Sequence, residues 1–255
     1  MEINLLRHAT LVIKIDEIKL LVDPMLKPAR SSDPIQNTPN PKRNPLVELP
    51  LGEDDLITLL DTIDGVLVTH THSDHWDEKA QAMLSKSVPI FCQPDDHQHM
   101  VNTGFTNVNP ITEGFDWKSI HFLRTGGQHG KGKIGRMMAP VSGFFLSAAG
   151  EPKVYIAGDT IWCKEVEAAI DQHEPDAIIV NAGAAQFNSG GPITMNSYDV
   201  VKVCESRPSA KVIAIHMEAI NHCLLSRSDL EEYLSEAGAK TKVWIPKDGE
   251  RILLD

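Results

Sequence analysis

The stretch Val66-Leu67-Val68-Thr69-His70-Thr71-His72-Ser73-Asp74-His75-Trp76, VLVTHTHSDHW, decides how this chain is read. Its first half continues an apolar run, Gly65 to Thr69, that reads as a buried strand; its second half sits in the turn that must follow, or in the first turn of a helix near Asp77 to Leu84. That is the carboxyl end of a strand, where α/β folds gather their ligands. A single histidine there is ordinarily packed or solvated. Three with an aspartate at this spacing are not, because crowded neutral imidazoles waste polar groups unless divalent metal uses their ring nitrogens and the carboxylate oxygens. His70 and His72 lie two apart and can point to one side of an extended loop; Asp74 and His75 then point elsewhere, which suggests a second metal.

Outward from this motif the pattern is α/β with mixed sheets. Toward the N-terminus, Glu2 to Leu6, Leu11 to Ile15 and Lys19 to Val22 read as short strands with an antiparallel start. Between Lys27 and Pro50 the residues Pro28, Pro34, Pro39, Pro41, Pro45 and Pro50 remove backbone donors and fix φ, so this run is a long loop of the kind that often carries function. A helix follows near Asp54 to Leu60. Beyond the motif come strands at Val88 to Cys92, Ile120 to Thr125, Gly143 to Ala148, Lys153 to Ala157, Ala177 to Val180 and Lys211 to Ile215. Helical patterns near Lys164 to Gln172, Ser197 to Glu205 and Arg227 to Ala237 separate the later ones, and Lys242 to Ile245 and Arg251 to Leu254 read as final strands.

The chain has 255 residues, 42% hydrophobic and 23% charged, enough to bury a substantial core. A formal charge of -11 argues against a nucleic-acid-binding face, which needs clustered Lys and Arg, and favours a small-molecule substrate. Charges break every apolar run short of a membrane span, and the reading is a cytoplasmic protein with no nucleic-acid or membrane partner; a homo-oligomer stays open. Cys92, Cys163, Cys204 and Cys223 are scattered without a CxxC pair and read as reduced thiols.

More metal-type residues stand at other expected strand ends. His129 follows Ile120 to Thr125, Asp159 follows the strand ending at Ala157, and His216 follows Ile215. Each alone has a dull explanation; together with His70, His72, Asp74 and His75 they form a set. With these residues the chain resembles the metallo-β-lactamase superfamily, from RHATLVIKIDEIKLLVDP at 7 to 24 through AIHMEAINH at 214 to 222, and is most similar to its branch of L-ascorbate 6-phosphate lactonase-like hydrolases. The resemblance implies a four-layer αββα sandwich of two mixed β-sheets in one domain, 1 to 255. It also implies one metal on His70, His72 and His129, the other on Asp74, His75 and His216, and Asp159 bridging them.

Such a site holds two divalent ions, zinc or manganese, and runs hydrolysis through a metal-bound hydroxide, with Asp74 orienting the water or accepting its proton. The expected substrate is a small anionic lactone, ester or amide. The alternatives are a phosphodiesterase or nuclease on the same metals, and a metal-stabilised binding protein without catalysis. Asp23 and His8 are expected to hydrogen-bond ligating groups, and His222 to contact substrate as a catalytic residue. Gly127 to Lys133 imitates a phosphate-binding loop, but Ile134 replaces the required Ser or Thr, and Gly135 and Pro140 discourage a following helix. Lys131, Lys133 and Arg136 are expected instead to clamp an anion at the pocket mouth. In the resembled family, the segments NAGAAQF at 181 to 187 and GGPITM at 190 to 195 form pocket walls.

Overall fold

A computed structural model describes residues 1–138 and 140–254. Strands β1 (Glu2–Arg7), β2 (Thr10–Ile15) and β3 (Ile18–Val22) form an antiparallel meander; β4 (Gly65–Val68), β5 (Ile90–Cys92) and β6 (Val108–Pro110) then extend it in parallel, and β14 (Arg251–Leu253) closes the other edge. The second sheet repeats this plan. Its β7 (Gly114–Trp117), β8 (Ile120–Thr125), β9 (Gly143–Ser147) and β10 (Val154–Ile156) pair antiparallel, and β11 (Ala177–Asn181), β12 (Lys211–Ile215) and β13 (Val243–Trp244) continue in parallel from β10. Each sheet has seven strands.

Period-two burial sorts the central strands between an inner core and an outer, helix-covered one. In β3, Leu20 and Val22 face the second sheet while Leu21 faces the other way; in β12, Ile213 and Ile215 face inward while Val212 and Ala214 face helices. The inner core is closed by Phe91, Phe122 and Phe144, and the first and second rings stack with centroids 4.6 Å apart. Helices α1 (Glu53–Leu60), α2 (Glu78–Met83) and α3 (His97–Asn102) cover the first sheet through Leu56, Ala80 and Met100. On the second, α5 (Lys164–His173), α6 (Ser197–Ser206) and α7 (Arg227–Glu236) lay down Ile170, Val203 and Leu234. The layers run αββα, as the resemblance implies. Among the described residues no helix is long and apolar enough to cross a membrane.

The sequence reading misses three things. Strands β6 and β7 are short, half-exposed edge strands of three and four residues. Helix α3 was not expected. Neither was α4 (Gly132–Met138), which forms despite Gly135. The reason is packing: Gly135 lies against the Gly130 carbonyl with no room for a Cβ, so its glycine is a close-approach residue and not a helix breaker. The expectation that no helix follows Lys133 is therefore corrected, and α4 ends before Pro140.

The proline-rich run is indeed a loop, and Arg7 ties it down. This guanidinium is fully buried and donates to the carbonyls of Met25 (2.8 Å), Lys27 (2.9 Å) and Val47 (3.0 Å), while burial pulls its pKa down to about 10.

Candidate metal centre

Within each sheet, the strands that point the same way end at the same edge. β1 and β3 run parallel to β4, and β8 runs parallel to β10, β11 and β12, so His8, Asp23, the 70–75 loop, His129, Asp159 and His216 all emerge at strand carboxyl ends. His8 (φ 62), Asp23 (φ 44) and His216 (φ 69) leave their strands in the left-handed region, uncommon for residues with a Cβ. Such strain persists only where surrounding contacts fix it, and all three side chains are buried among the others.

The candidate ligands fall into overlapping groups with atoms within 4.8 Å of one another: His70, His72 and His129; His8, Asp74, His75 and His216; and His70, His75 and Asp159. Asp159 lies between the first two. Its Oδ2 is 3.4 Å from His129 Nε2 and 3.3 Å from His75 Nε2, and its Oδ1 is 3.3 Å from His216 Nε2. Asn181 at the end of β11 donates to the same Oδ1 at 2.6 Å and fixes the carboxylate plane.

The outward nitrogens are already engaged, which sets the tautomers. His75 Nδ1–H donates to Asp23 Oδ2 (2.8 Å) and His129 Nδ1–H to the Ile193 carbonyl (2.8 Å). Thr69 gives its hydroxyl hydrogen to Asp23 Oδ2 (2.7 Å), so its oxygen accepts from His70 Nδ1–H at 3.1 Å. The inward Nε2 atoms of His70 and His129 therefore carry lone pairs, as does that of His75 whenever its ring is neutral. Two pairs of inward nitrogens nearly touch, His70 Nε2 to His72 Nδ1 at 2.9 Å and His75 Nε2 to His216 Nε2 at 3.2 Å. Each pair is close enough to share either one proton or one cation, and a divalent ion that displaces the proton takes both nitrogens as ligands. The donor set of imidazole nitrogens and carboxylate oxygens fits divalent metal on this ground.

Electrostatics agree. Burial, with neighbouring histidines adding, holds His70 and His216 well below the usual imidazole range, which keeps them neutral. Burial also acts to raise Asp159 and Asp74, but His216, His75 and His129 around the first, and His75 and His8 beside the second, hold both well below the carboxylate range. For His75, burial is outweighed by Asp159, Asp23 and Asp74, whose combined negative charge calls for positive charge at this point.

Among the expected supporting residues, Asp23 accepts from Thr69 N (2.7 Å), Thr69 Oγ1 and His75, and His8 Nε2 lies 3.2 Å from Asp74 Oδ2. His222 is buried, with no hydrogen-bond partner at Nδ1, and lines a cavity of about 190 Å3 whose floor is His72, Asp74, His129 and Asp159. The other lining residues are Ser73, Ile35, Met138 and Phe187. Lys131 and Lys133 are not among the lining residues; Lys131 borders a separate cavity with Trp162, and Lys133 is exposed. From α4 it is Met138, and not Lys133, that lines this cavity. Thr69, Asp96 and Asn221 escaped the sequence reading. Thr71 donates to Asp96 at 2.8 Å between two ligands, a contact with no local sequence signal.

Comparison with known proteins identifies the family. Residues 20–217 match the model of the beta-lactamase superfamily domain. UPF0173 protein YddR of Bacillus subtilis is 36% identical over 98% of both chains. Two crystal structures superpose over 100% of this chain and 99% of theirs: a possible metal-dependent hydrolase from Veillonella parvula, at a TM-score of 0.94 and 35% identity, and the isothiocyanate hydrolase from Delia radicum gut bacteria, at 0.93 and 34%. The chain belongs to the β-lactamase superfamily, among its metal-dependent hydrolases.

Proposed function

We propose that the chain works as one hydrolase domain with a dinuclear centre, in which His70, His72 and His129 hold one divalent ion, Asp74, His75 and His216 the other, and Asp159 reaches both. The observation that carries this reading is the set of inward lone pairs whose outward nitrogens are fixed by Asp23, Thr69 and Ile193. Divalent metal in such a shell supplies Lewis acidity and, for zinc, brings the pKa of water down to about 7. The imidazole-rich set suits zinc, and its carboxylates also suit manganese.

The protein's own residues do the rest. Asp74 belongs to the ligand cluster and also borders the cavity, so its carboxylate is placed to orient the attacking water or take its proton. His8 holds that carboxylate from behind. His222 presents an imidazole to substrate, and burial lowers its pKa so that it is neutral and able to donate one hydrogen bond. Ile35, Met138 and Phe187 exclude bulk water and strengthen each of these contacts.

The substrate is a small lactone, ester or amide. Among the described residues no lysine or arginine lines the cavity, so we favour an uncharged substrate over the anionic one expected from sequence. The same absence disfavours phosphodiesters. A second reading is supported by the apolar walls and by the 34%-identical isothiocyanate hydrolase. An isothiocyanate has an uncharged electrophilic carbon and an apolar substituent; adding water to that carbon and breaking the C–N bond gives an amine and carbonyl sulfide. The test is turnover by protein loaded with zinc or manganese, against γ-butyrolactone, phenyl acetate, benzyl isothiocyanate and bis(4-nitrophenyl) phosphate. Turnover of one or more of the first three, lost on chelation, is the expected result; turnover of the phosphodiester alone would contradict the reading.

A further inference from the structure

We propose that Asn221 is a specificity-determining positioning residue, whose carboxamide sets the gap between Ile35 and His222 across the cavity over the metal residues. This rests on the reading of that cavity as the substrate site. Asn221 is fully buried in the segment that follows His216, and its side chain bonds almost wholly to the proline-rich loop. Its Oδ1 accepts from Ile35 N (3.1 Å) and Asn44 Nδ2 (2.8 Å), and its Nδ2 faces the Ile35 carbonyl (3.1 Å), Thr38 Oγ1 (2.7 Å) and the Asn40 carbonyl (2.6 Å). Asn44 reciprocates by accepting from Asn221 N at 2.9 Å.

A carboxamide is required, since one end must accept from N–H groups while the other donates to oxygens. No helix or strand does this job, for an isolated bridge between Ser32 and Asn44 is the only ladder contact within the loop among the described residues. Ile35 is the loop residue that reaches the cavity, and it is bound through both its N–H and its carbonyl. On the opposite side the chain continues directly into His222. Its carbonyl accepts from Gln186 N at 3.0 Å, so the neighbouring wall residue Phe187 is registered to the same point. Three walls of the cavity thus take their spacing from one buried amide.

Asn221→Asp keeps the shape but sets a carboxylate against three oxygens, and each buried polar group left unsatisfied shifts the local equilibrium by tenfold or more. In the full-length, metal-loaded variant, metal content should equal that of the wild type. Amide exchange across 33–44 should quicken at least ~10-fold. The KM for benzyl isothiocyanate and phenyl acetate should rise by a similar factor of ~10, with kcat within ~3-fold, because no metal residue is touched. Thr38→Val removes one acceptor at a half-exposed site and should move KM and exchange the same way by ~2–5-fold. Folded Asn221→Asp with wild-type exchange and KM, or with KM unchanged and kcat lost alongside metal, would overturn the proposal. Should Asn221→Asp not fold, an unchanged KM in Thr38→Val overturns it alone. If the wild type turned over none of γ-butyrolactone, phenyl acetate and benzyl isothiocyanate, the hydrolase reading would fall, whereas slow wild-type exchange that quickens in the variant would still locate the latch.

Discussion

The first sheet delivers His70, His72, Asp74 and His75 from the end of one strand, β4, whereas the second sheet delivers His129, Asp159 and His216 from the ends of β8, β10 and β12. The two sheets share a plan, with antiparallel strands on one side and parallel strands on the other. What differs is how each ligand is kept in place. In the first sheet a single loop is pinned by its neighbours, Asp23 on Thr69 and His75, and Asp96 on Thr71. In the second, each side chain sits on its own strand end and is positioned by the sheet, with Asn181 and the Ile193 carbonyl as local supports. The first arrangement concentrates risk in one loop; the second distributes it over a rigid scaffold.

The largest effect should come from the loop. His72→Ala removes a ligand from a pre-built turn, so hydrolysis should be abolished while circular dichroism and melting stay near wild type, and metal content should fall toward one ion per chain. Full turnover by this variant would take His72 out of the centre. Asp159→Asn tests the second sheet at the point where both groups meet. It keeps the shape and the Asn181 side but loses charge, and a rate loss of at least ~100-fold with weaker metal binding is expected. Wild-type rate and metal content there would mean that Asp159 does not join the two groups.

A smaller effect is predicted one contact further out. Asp23→Asn leaves the ligands in place but can no longer accept from both Thr69 and His75 as a carboxylate, and metal affinity should weaken ~10–100-fold, as measured by competition with a chelator. An unchanged affinity would show that the loop needs no such support. The smallest effect belongs to Lys133→Ala. This residue is exposed and does not line the cavity, so KM should stay within ~2-fold of wild type, the range of a surface change away from any site. A tenfold rise in KM would support an anion clamp at the pocket mouth.

The same contrast explains what could be read in the sequence. The HTHSDH loop is legible because its ligands are consecutive in the chain and follow an apolar strand. Asp159 and His216 are legible only through the rule that strand ends gather ligands, since nothing in GDT or IHM is distinctive alone. The αββα layering is carried by alternating apolar residues, whereas β6 and β7, at the sheet edges, span only three and four residues and are too short for a pattern to stand out. The left-handed backbone at His8, Asp23 and His216 leaves no mark in residue type, because none of them is glycine. Asn221 could not be recognised either: its partners Ile35, Thr38, Asn40 and Asn44 are 177 to 186 residues away, and an asparagine in a loop is common. The charge of Lys131 and Lys133 is visible in sequence, whereas the helix that carries Lys133 depends on Gly135 packing on the Gly130 carbonyl, which no local pattern announces.

The most direct test of the dinuclear reading is elemental analysis of active, dialysed protein alongside His72→Ala and Asp159→Asn. The account predicts about two divalent ions per chain in the wild type, fewer in each variant, and activity that disappears on chelation and returns with zinc or manganese. Active protein free of transition metal, or a wild-type stoichiometry of one that neither variant lowers, would contradict it.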